Sequence, residues 1–223
     1  MAKQNQKDLI KETKYIKTAT VPVIKITAVE KYLSRKIDIT LREFKDSKHN
    51  GEACVELIKD YIKSYRVFKP LILVLKQLIY NAKLYDPYQG GISSYGLILM
   101  LVTYLQYKTF FKVSIEAVRP NLGILLVDFF NFYGSVKFSA IEMKPLKAND
   151  PIESVPILNK SAEMLVITLW DPLNFSNNVT KSTYKVVSLE NLFYFSYFSI
   201  FHKGESVLRN IFDAAKIYTN LIG

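Results

Sequence analysis

The stretch Gly90-Gly-Ile-Ser-Ser-Tyr-Gly-Leu-Ile-Leu-Met-Leu-Val-Thr-Tyr-Leu-Gln-Tyr107 decides the fold. Paired glycines permit a tight turn, and two serines stand where a helix should begin. The run behind them is apolar on nearly every face, so the helix is expected at the buried centre of a helical layer. Its strongly apolar part, Leu97 to Leu105, is far below the ~20 residues that span a bilayer.

Outward from this helix the pattern stays helical in both directions. Upstream, Ala53, Leu57, Ile58, Tyr61 and Ile62 recur at spacings of three and four, which gives one apolar face from Gly51 onward. Pro70 suits the first turn of a helix over Leu71–Lys83, and Asp86-Pro-Tyr-Gln-Gly-Gly91 is a turn cluster. Downstream, a helix is expected over Asn121–Tyr133, ended by Gly134. Strands are expected at Val136–Met143 and Met164–Leu169, then a loop from Trp170-Asp-Pro-Leu and a last helix over Leu189–Phe201. The aromatic residues Phe193, Tyr194, Phe195, Tyr197, Phe198 and Phe201 read as core. At the other end, Val21-Pro-Val-Ile-Lys-Ile-Thr27 and Lys36-Ile-Asp-Ile-Thr-Leu41 read as short strands, followed by a polar loop at 43–50. The stretch before Ala19 fits a third strand or a helix equally. Strands first and then mainly helices describe an α+β chain, with no internal repeat.

The composition of the 223 residues bounds what such a chain can do. Apolar residues make up 49%, enough for a sizeable core. Thirty basic residues against 20 acidic ones give a formal net charge of +10, which favours polyanions. The first fifty residues hold 12 Lys and Arg against 6 Asp and Glu. A single cysteine, Cys54, excludes an intramolecular disulfide framework, and with only His49 and His202 there is no zinc cluster of the Cys/His kind. Any metal would be a hard cation held by carboxylates. The polar N-terminus lacks the apolar segment of a secretory signal, so an intracellular, non-membrane protein is expected. No Ser-His-Asp set, P-loop or dinucleotide fingerprint is present.

Four places can carry chemistry. Asp38 alternates with Ile37 and Ile39, which should face a core and leave the carboxylate on the open face, as a Mg²⁺ ligand or as a solvated strand residue. Ser93, Ser94 and Tyr95 follow the glycine turn. The hydroxyls fit a helix cap or a phosphate site, and the ring fits base stacking. Lys76, inside Leu71-Ile-Leu-Val-Leu75 and Leu78-Ile79, either snorkels or meets an anion. Asp171, Asn177 and Asn178 lie in a polar loop whose side chains suit either turns or a base edge.

The order of these blocks carries a resemblance. Val21-Pro-Val-Ile-Lys25, Ile37-Asp-Ile39, Pro70-Leu-Ile-Leu-Val-Leu-Lys-Gln77, Gly90-Gly-Ile-Ser-Ser-Tyr95, Asn121-Leu-Gly-Ile-Leu-Leu126, Phe129-Phe-Asn-Phe-Tyr-Gly134, Asp171-Pro-Leu173 and Asn177-Asn-Val179 resemble the noncanonical poly(A) polymerases over roughly residues 20 to 201. This family is also called DNA polymerase sigma-like and includes the catalytic subunit of the nuclear TRAMP complex. The resemblance implies a remnant of a nucleotidyltransferase palm sheet over 1–50, followed by a mainly helical poly(A)-polymerase central and associated domain over 51–223. It implies an RNA 3′-end adenylyltransferase that uses Mg²⁺ or Mn²⁺ and takes ATP as substrate. By the same likeness Asp38 is the third metal carboxylate, Lys76 and Ser94 contact the triphosphate, and Tyr95 stacks on the incoming base. Asp171, Asn177 and Asn178 fall in the nucleotide recognition motif. UTP-preferring relatives tend to carry histidine where this chain has Asn177, which leans the expectation towards ATP. The implied partners are an RNA 3′ end, a zinc-knuckle RNA-binding protein and an RNA helicase. The implied location is nuclear or nucleolar, with the cytoplasm as the alternative.

Two departures from the family pattern qualify that expectation. The family has a Gly-Ser motif and an Asp-x-Asp pair upstream of the third aspartate, whereas only Asp8 precedes Asp38 here, and no Gly-Ser does. Two of three metal ligands are therefore absent, and the chain reads either as a truncated polymerase or as an inactive nucleotide- and RNA-binding subunit. After Asn177-Asn-Val179 the family usually continues with Gly-Arg, but Thr180 and Lys181 stand here.

Overall fold

A computed structural model describes residues 9–17, 23–32, 35–40, 51–113, 115, 121–161 and 165–202. The polar loop expected at 43–50, together with Asp8, Val21, Leu41, His49 and Met164, lies outside them, as do the side chains of Phe201 and His202. The chain is α+β and divides into two compact units, Met1–Cys54 and Val55–Gly223.

The first unit is an antiparallel sheet of β1 (Ile10–Ile16), β2 (Val23–Ala28) and β3 (Lys36–Thr40), in that order. The stretch before Ala19, left between helix and strand by its sequence, is the strand β1. Its partners fix the register, with Lys14 opposite Lys25 and Lys25 opposite Asp38.

Helix α1 (Gly51–Ser64) begins in the last four residues of the first unit, and α2 (Phe68–Asn81), α3 (Ser94–Phe110) and α4 (Leu122–Gly134) follow in the second. A four-stranded sheet follows in the order β5-β4-β6-β7, and α5 (Val186–His202) closes the described chain. Strand β4 is Ile141–Met143, β5 Ile157–Asn159, β6 Thr168–Asp171 and β7 Asn174–Asn178. Strands β4 and β6 run parallel and the outer pairs antiparallel. Helix α3 is the buried centre that its sequence predicts, with ten of its residues buried, Leu97 and the run Leu99–Gln106 among them. Each fully buried leucine there contributes roughly 2 kcal/mol before entropy is counted.

Buried polar groups on α3 are all spoken for. Gln106 holds both the C=O and the N–H of Leu146, at 2.8 and 2.9 Å. Tyr133 on α4 donates to the Met100 carbonyl at 2.8 Å. Tyr104 donates to Asp128 at 2.6 Å; burial and that carboxylate push its phenol above its ordinary pKa, so it stays a neutral donor. Across the sheet, burial opposes ionisation of Glu142, but the Trp170 indole N–H and the Lys144 ammonium outweigh it and hold the carboxyl below its ordinary pKa.

Several boundaries differ from the sequence reading. The strand expected at Val136–Met143 is a short 3-10 turn at Phe138–Ala140 and then only β4, because the buried Glu190 carboxylate accepts the Phe138 N–H at 2.8 Å and bends the chain there. The loop expected from Trp170 onward is the hairpin β6–β7. Of the aromatic residues near the end, Phe193 is fully buried against Phe129 and Phe138. Tyr194, Phe195 and Phe198 are instead 44–46% exposed, since α5 turns Val186, Leu189, Leu192, Phe193 and Ser196 inward.

Helices α2 and α3 end alike, each with a lysine in the left-handed conformation, Lys83 at φ 55° and Lys112 at φ 56°. The N–H of Leu84 reaches the Ile79 carbonyl and that of Lys83 the Tyr80 carbonyl, both at 3.0 Å. Val113 to Lys108 at 2.9 Å and Lys112 to Thr109 at 3.0 Å repeat the pattern. This double bond is the Schellman closure, whose left-handed residue is usually glycine. Lys112→Gly is expected to raise stability by ~0.5–1 kcal/mol, as read by urea unfolding. A loss of stability would show that the lysine stem contributes packing that outweighs its strained backbone.

Candidate nucleotide site

The turn between α2 and α3 is built on close backbone contacts. Ile92 donates to the Leu84 carbonyl at 2.8 Å and Gly91 to that of Asp86 at 2.9 Å. A Cβ on Gly91 would stand 2.3 Å from the Leu84 oxygen, so only glycine fits. Gly90 takes φ 80° and its carbonyl accepts from Lys185 at 3.0 Å, while the Thr183 hydroxyl donates to the Gly91 carbonyl at 3.0 Å. The glycine pair is thus clamped to the segment that leads into α5.

Of the two candidate caps, Ser93 is the one used: its Oγ accepts the Gly96 N–H at 2.9 Å. Ser94 opens the helix with an exposed hydroxyl that has no partner among the described residues. Lys76 is exposed on α2 rather than buried, and it lines a cavity of about 370 Å³ with Ser93 and Ser94. A cation, a hydroxyl and the first N–H groups of a 17-residue helix therefore share one cavity, a set of donors suited to a phosphate.

Tyr95, Asp171 and Asn177 form a second group. Asp171, 4% exposed, accepts the Tyr95 hydroxyl at 2.8 Å on one oxygen and the Asn177 side-chain N–H at 3.3 Å on the other. The same carboxylate accepts the Leu173 N–H at 2.9 Å, which makes Asp171-Pro-Leu-Asn174 the turn of the hairpin. The carboxylate therefore fixes the Tyr95 ring and the Asn177 amide instead of standing free in a loop. Asn178 spends its amide on its own loop: the oxygen accepts from the Leu169 and Thr180 N–H groups, and the nitrogen donates to the Ile167 carbonyl. Thr180 is buried there and also donates to the Ile167 carbonyl at 2.9 Å.

Asp38 belongs to the first unit, where β3 is exposed throughout. Ile37 and Ile39, expected to face a core, are 50% and 39% exposed. A three-stranded sheet this short buries little, and the ladder places Lys25 directly opposite Asp38, with its Nζ 3.7 Å from the carboxylate. Lys14, Lys36 and Glu12 line the same concavity. Among the described residues no group of three His, Cys, Asp or Glu side chains could hold a metal ion. One carboxylate paired with an ammonium does not fit a divalent-cation site. The pairing was missed because two strands without their register do not reveal which residues oppose each other.

No protein-family profile matches the chain. Among curated proteins it is 25% identical to poly(A) RNA polymerase cid14 of Schizosaccharomyces pombe, over 78% of this chain and 25% of that protein. It is 28% identical to an inactive noncanonical poly(A) RNA polymerase, Trf4-2 of Drosophila melanogaster, over 77% of this chain and 42% of that protein. The polymerase core of TRAMP, an RNA surveillance complex, superposes with a TM-score of 0.74 at 19% identity, covering 93% of this chain and 67% of that one. The chain is a homologue of the poly(A) RNA polymerases. A second structural neighbour is the poly(U) polymerase Cid1 in its H336N mutant bound to MgATP, with a TM-score of 0.66 at 21% identity, over 90% of this chain and 71% of that one. The likeness to both solved structures is one of fold. The chain spans a quarter of the length of the cid14 polymerase and under half that of Trf4-2.

The hydrogen bond from Tyr95 to Asp171 has a direct test. Tyr95→Phe leaves a buried carboxylate short of one donor and is expected to cost about 1.5–3 kcal/mol in urea unfolding. Unchanged stability would mean that the bond does not hold the ring.

Proposed function

We propose that this chain carries the nucleotide-recognition part of a template-independent RNA 3′-end adenylyltransferase that prefers ATP. The observation behind this reading is the buried Asp171 carboxylate, which sets Tyr95 and Asn177 together at the head of the helix whose first turn shares a cavity with Lys76. In this role the Tyr95 ring offers a face to the base, Lys76 and the Ser94 hydroxyl take the triphosphate, and Asn177 meets the base edge. An amide oxygen there suits the amino group of adenine. In support, the Cid1 polymerase, whose structures bear on UTP selectivity, was obtained with MgATP in a form that has asparagine in place of a histidine. The family chemistry joins an RNA 3′-oxygen to the α-phosphate while the bond from that phosphorus to the β-phosphate oxygen breaks and pyrophosphate leaves, and divalent cations would stabilise the attacking and leaving oxygens. The residues described here orient the nucleotide and supply no complete cation site. We place the activity in nuclear RNA processing and surveillance, with a zinc-knuckle RNA-binding protein and an RNA helicase as partners.

A second reading is favoured by Lys25. A cation fixed beside Asp38, in a chain similar to a protein named as inactive, supports a nucleotide- and RNA-binding subunit without catalysis.

Calorimetric titration of the 223-residue chain with ATP and UTP tests the shared part of both readings. ATP is expected to bind more tightly, Tyr95→Ala to lose ~1–3 kcal/mol of nucleotide affinity, and Asn177→His to shift preference towards UTP. Equal affinity of parent and Tyr95→Ala for ATP would remove the stacking role. Incubation with Mg²⁺, ATP and an oligo(A) primer separates the readings. Extension only by a longer product carrying Gly-Ser and Asp-x-Asp supports the polymerase, and extension by neither supports the inactive subunit. If the 223 residues extend RNA alone, both readings fail.

A further inference from the structure

Helix α2 presents Lys69, Leu73, Lys76 and Tyr80 to solvent, at spacings of four, three and four residues. Such spacings place side chains in one stripe along the helix axis. Lys83, also exposed, follows at the left-handed position that closes the helix. The fifteen residues from Lys69 to Lys83 cover about 20 Å at 1.5 Å per residue. Leu73 is 60% exposed and Tyr80 59%, large apolar surfaces in a row that the core does not use. The helix has no acidic residue, and Lys69, Lys76 and Lys83 make no ion pair among the described residues.

The tyrosine in this stripe is backed by a second ring. Tyr85, 51% exposed, stacks on Tyr80 with centroids 4.9 Å apart and an interplanar angle of 29°. Both rings line the cavity that holds Lys76, Ser93 and Ser94. Unpaired cations alternating with an apolar side chain and a supported aromatic ring match a ligand that has regular negative charges and free flat faces. A duplex hides its base faces, whereas a single strand offers both phosphates and bases.

We propose that this stripe is a track for single-stranded RNA, with backbone phosphates at Lys69 and Lys83 and a base stacked on the Tyr80–Tyr85 pair. The assignment rests on the reading of the chain as an RNA-adenylating type, and it names the surface that carries the strand behind its 3′ end.

Fluorescence anisotropy of the full chain with labelled oligo(A) of about 15 nucleotides, across a KCl series, tests the track. The Lys69→Gln/Lys83→Gln pair should weaken binding and flatten the log–log salt slope by about 1.4, since each single-strand phosphate contact contributes about 0.7. Tyr80→Ala should weaken binding about 5- to 150-fold, with Tyr80→Trp close to the parent. The lysine pair should leave ATP titration unchanged. Oligo(A) affinity and slope that stay at the parent values in both the lysine pair and Tyr80→Ala overturn the track. So does a lysine-pair loss matched by an equal loss for ATP, because the effect would then come from the nucleotide cavity. Tyr95→Ala discriminates in the other direction: if it leaves ATP affinity intact while the lysine pair loses RNA, the nucleotide reading fails and the track stands.

Discussion

Helix α3 has no side that can face water, and the second unit is organised around that constraint. A helix apolar all round needs a neighbour on every face, since burial of its leucines is favourable only if nothing polar is stranded with them. The cover is recorded in the bonds that its few polar atoms make. Gln106 reaches the Leu146 segment, Tyr133 comes from α4 to the Met100 carbonyl, and Tyr95 joins the hairpin through Asp171. Tyr61 on α1 shares the same Leu146 carbonyl at 2.7 Å, which ties the first helix to the far end of the buried one. Helix α4 closes against α5 where Gly134 lies under Tyr194; a Cβ there would stand 2.8 Å from its backbone.

The site inherits its order from that packing. The N-terminus of α3 cannot tilt, because the Gly90–Gly91 turn is held by the Leu84 carbonyl on one side and by Thr183 and Lys185 on the other. Asp171 sits at the end of β6, the strand that packs on α3, and it does two jobs with one carboxylate. It closes the hairpin turn through Leu173, and it aligns Tyr95 and Asn177. A buried carboxylate that has three donors is costly to leave half-satisfied, so the hairpin and the helix head are held as one piece.

The helices were legible because their signals are local. Asn121 does cap α4, accepting the Ile124 N–H at 3.3 Å, and the apolar period of α1 is visible residue by residue. The sheet was poorly legible, since β4 and β5 have three residues each and pair Ile141 with Asn159 and Met143 with Ile157, which no local pattern announces. The hairpin β6–β7 did carry a signal: Asp171 followed by Pro172 is turn chemistry, but the polar Asn174-Phe175-Ser176 read as loop. At the site, residue types singled out Ser94, Tyr95 and Asp171 as polar or aromatic groups beside turns. They could not show that Asp171 faces Tyr95, a pairing 76 positions apart. Nor could they show that Asn178 is consumed by its own loop.

The same limit explains Asp38. Alternation correctly set its side chain opposite to Ile37 and Ile39, but only the ladder shows that Lys25 lies across from it. That pair is exposed and more than half open to water on the aspartate side, so it contributes little to stability, of the order of 0–1 kcal/mol. Stability is thus a weak reason for a lysine at that position. Its charge is the stronger consequence, because an ammonium 3.7 Å from the carboxylate cancels the negative field that would attract a divalent cation. With Lys14 and Lys36 on the same face, lysines there outnumber the carboxylates Glu12 and Asp38. A sheet face that would favour Mg²⁺ by its aspartate alone therefore leans towards anions once its cross-strand partners are counted.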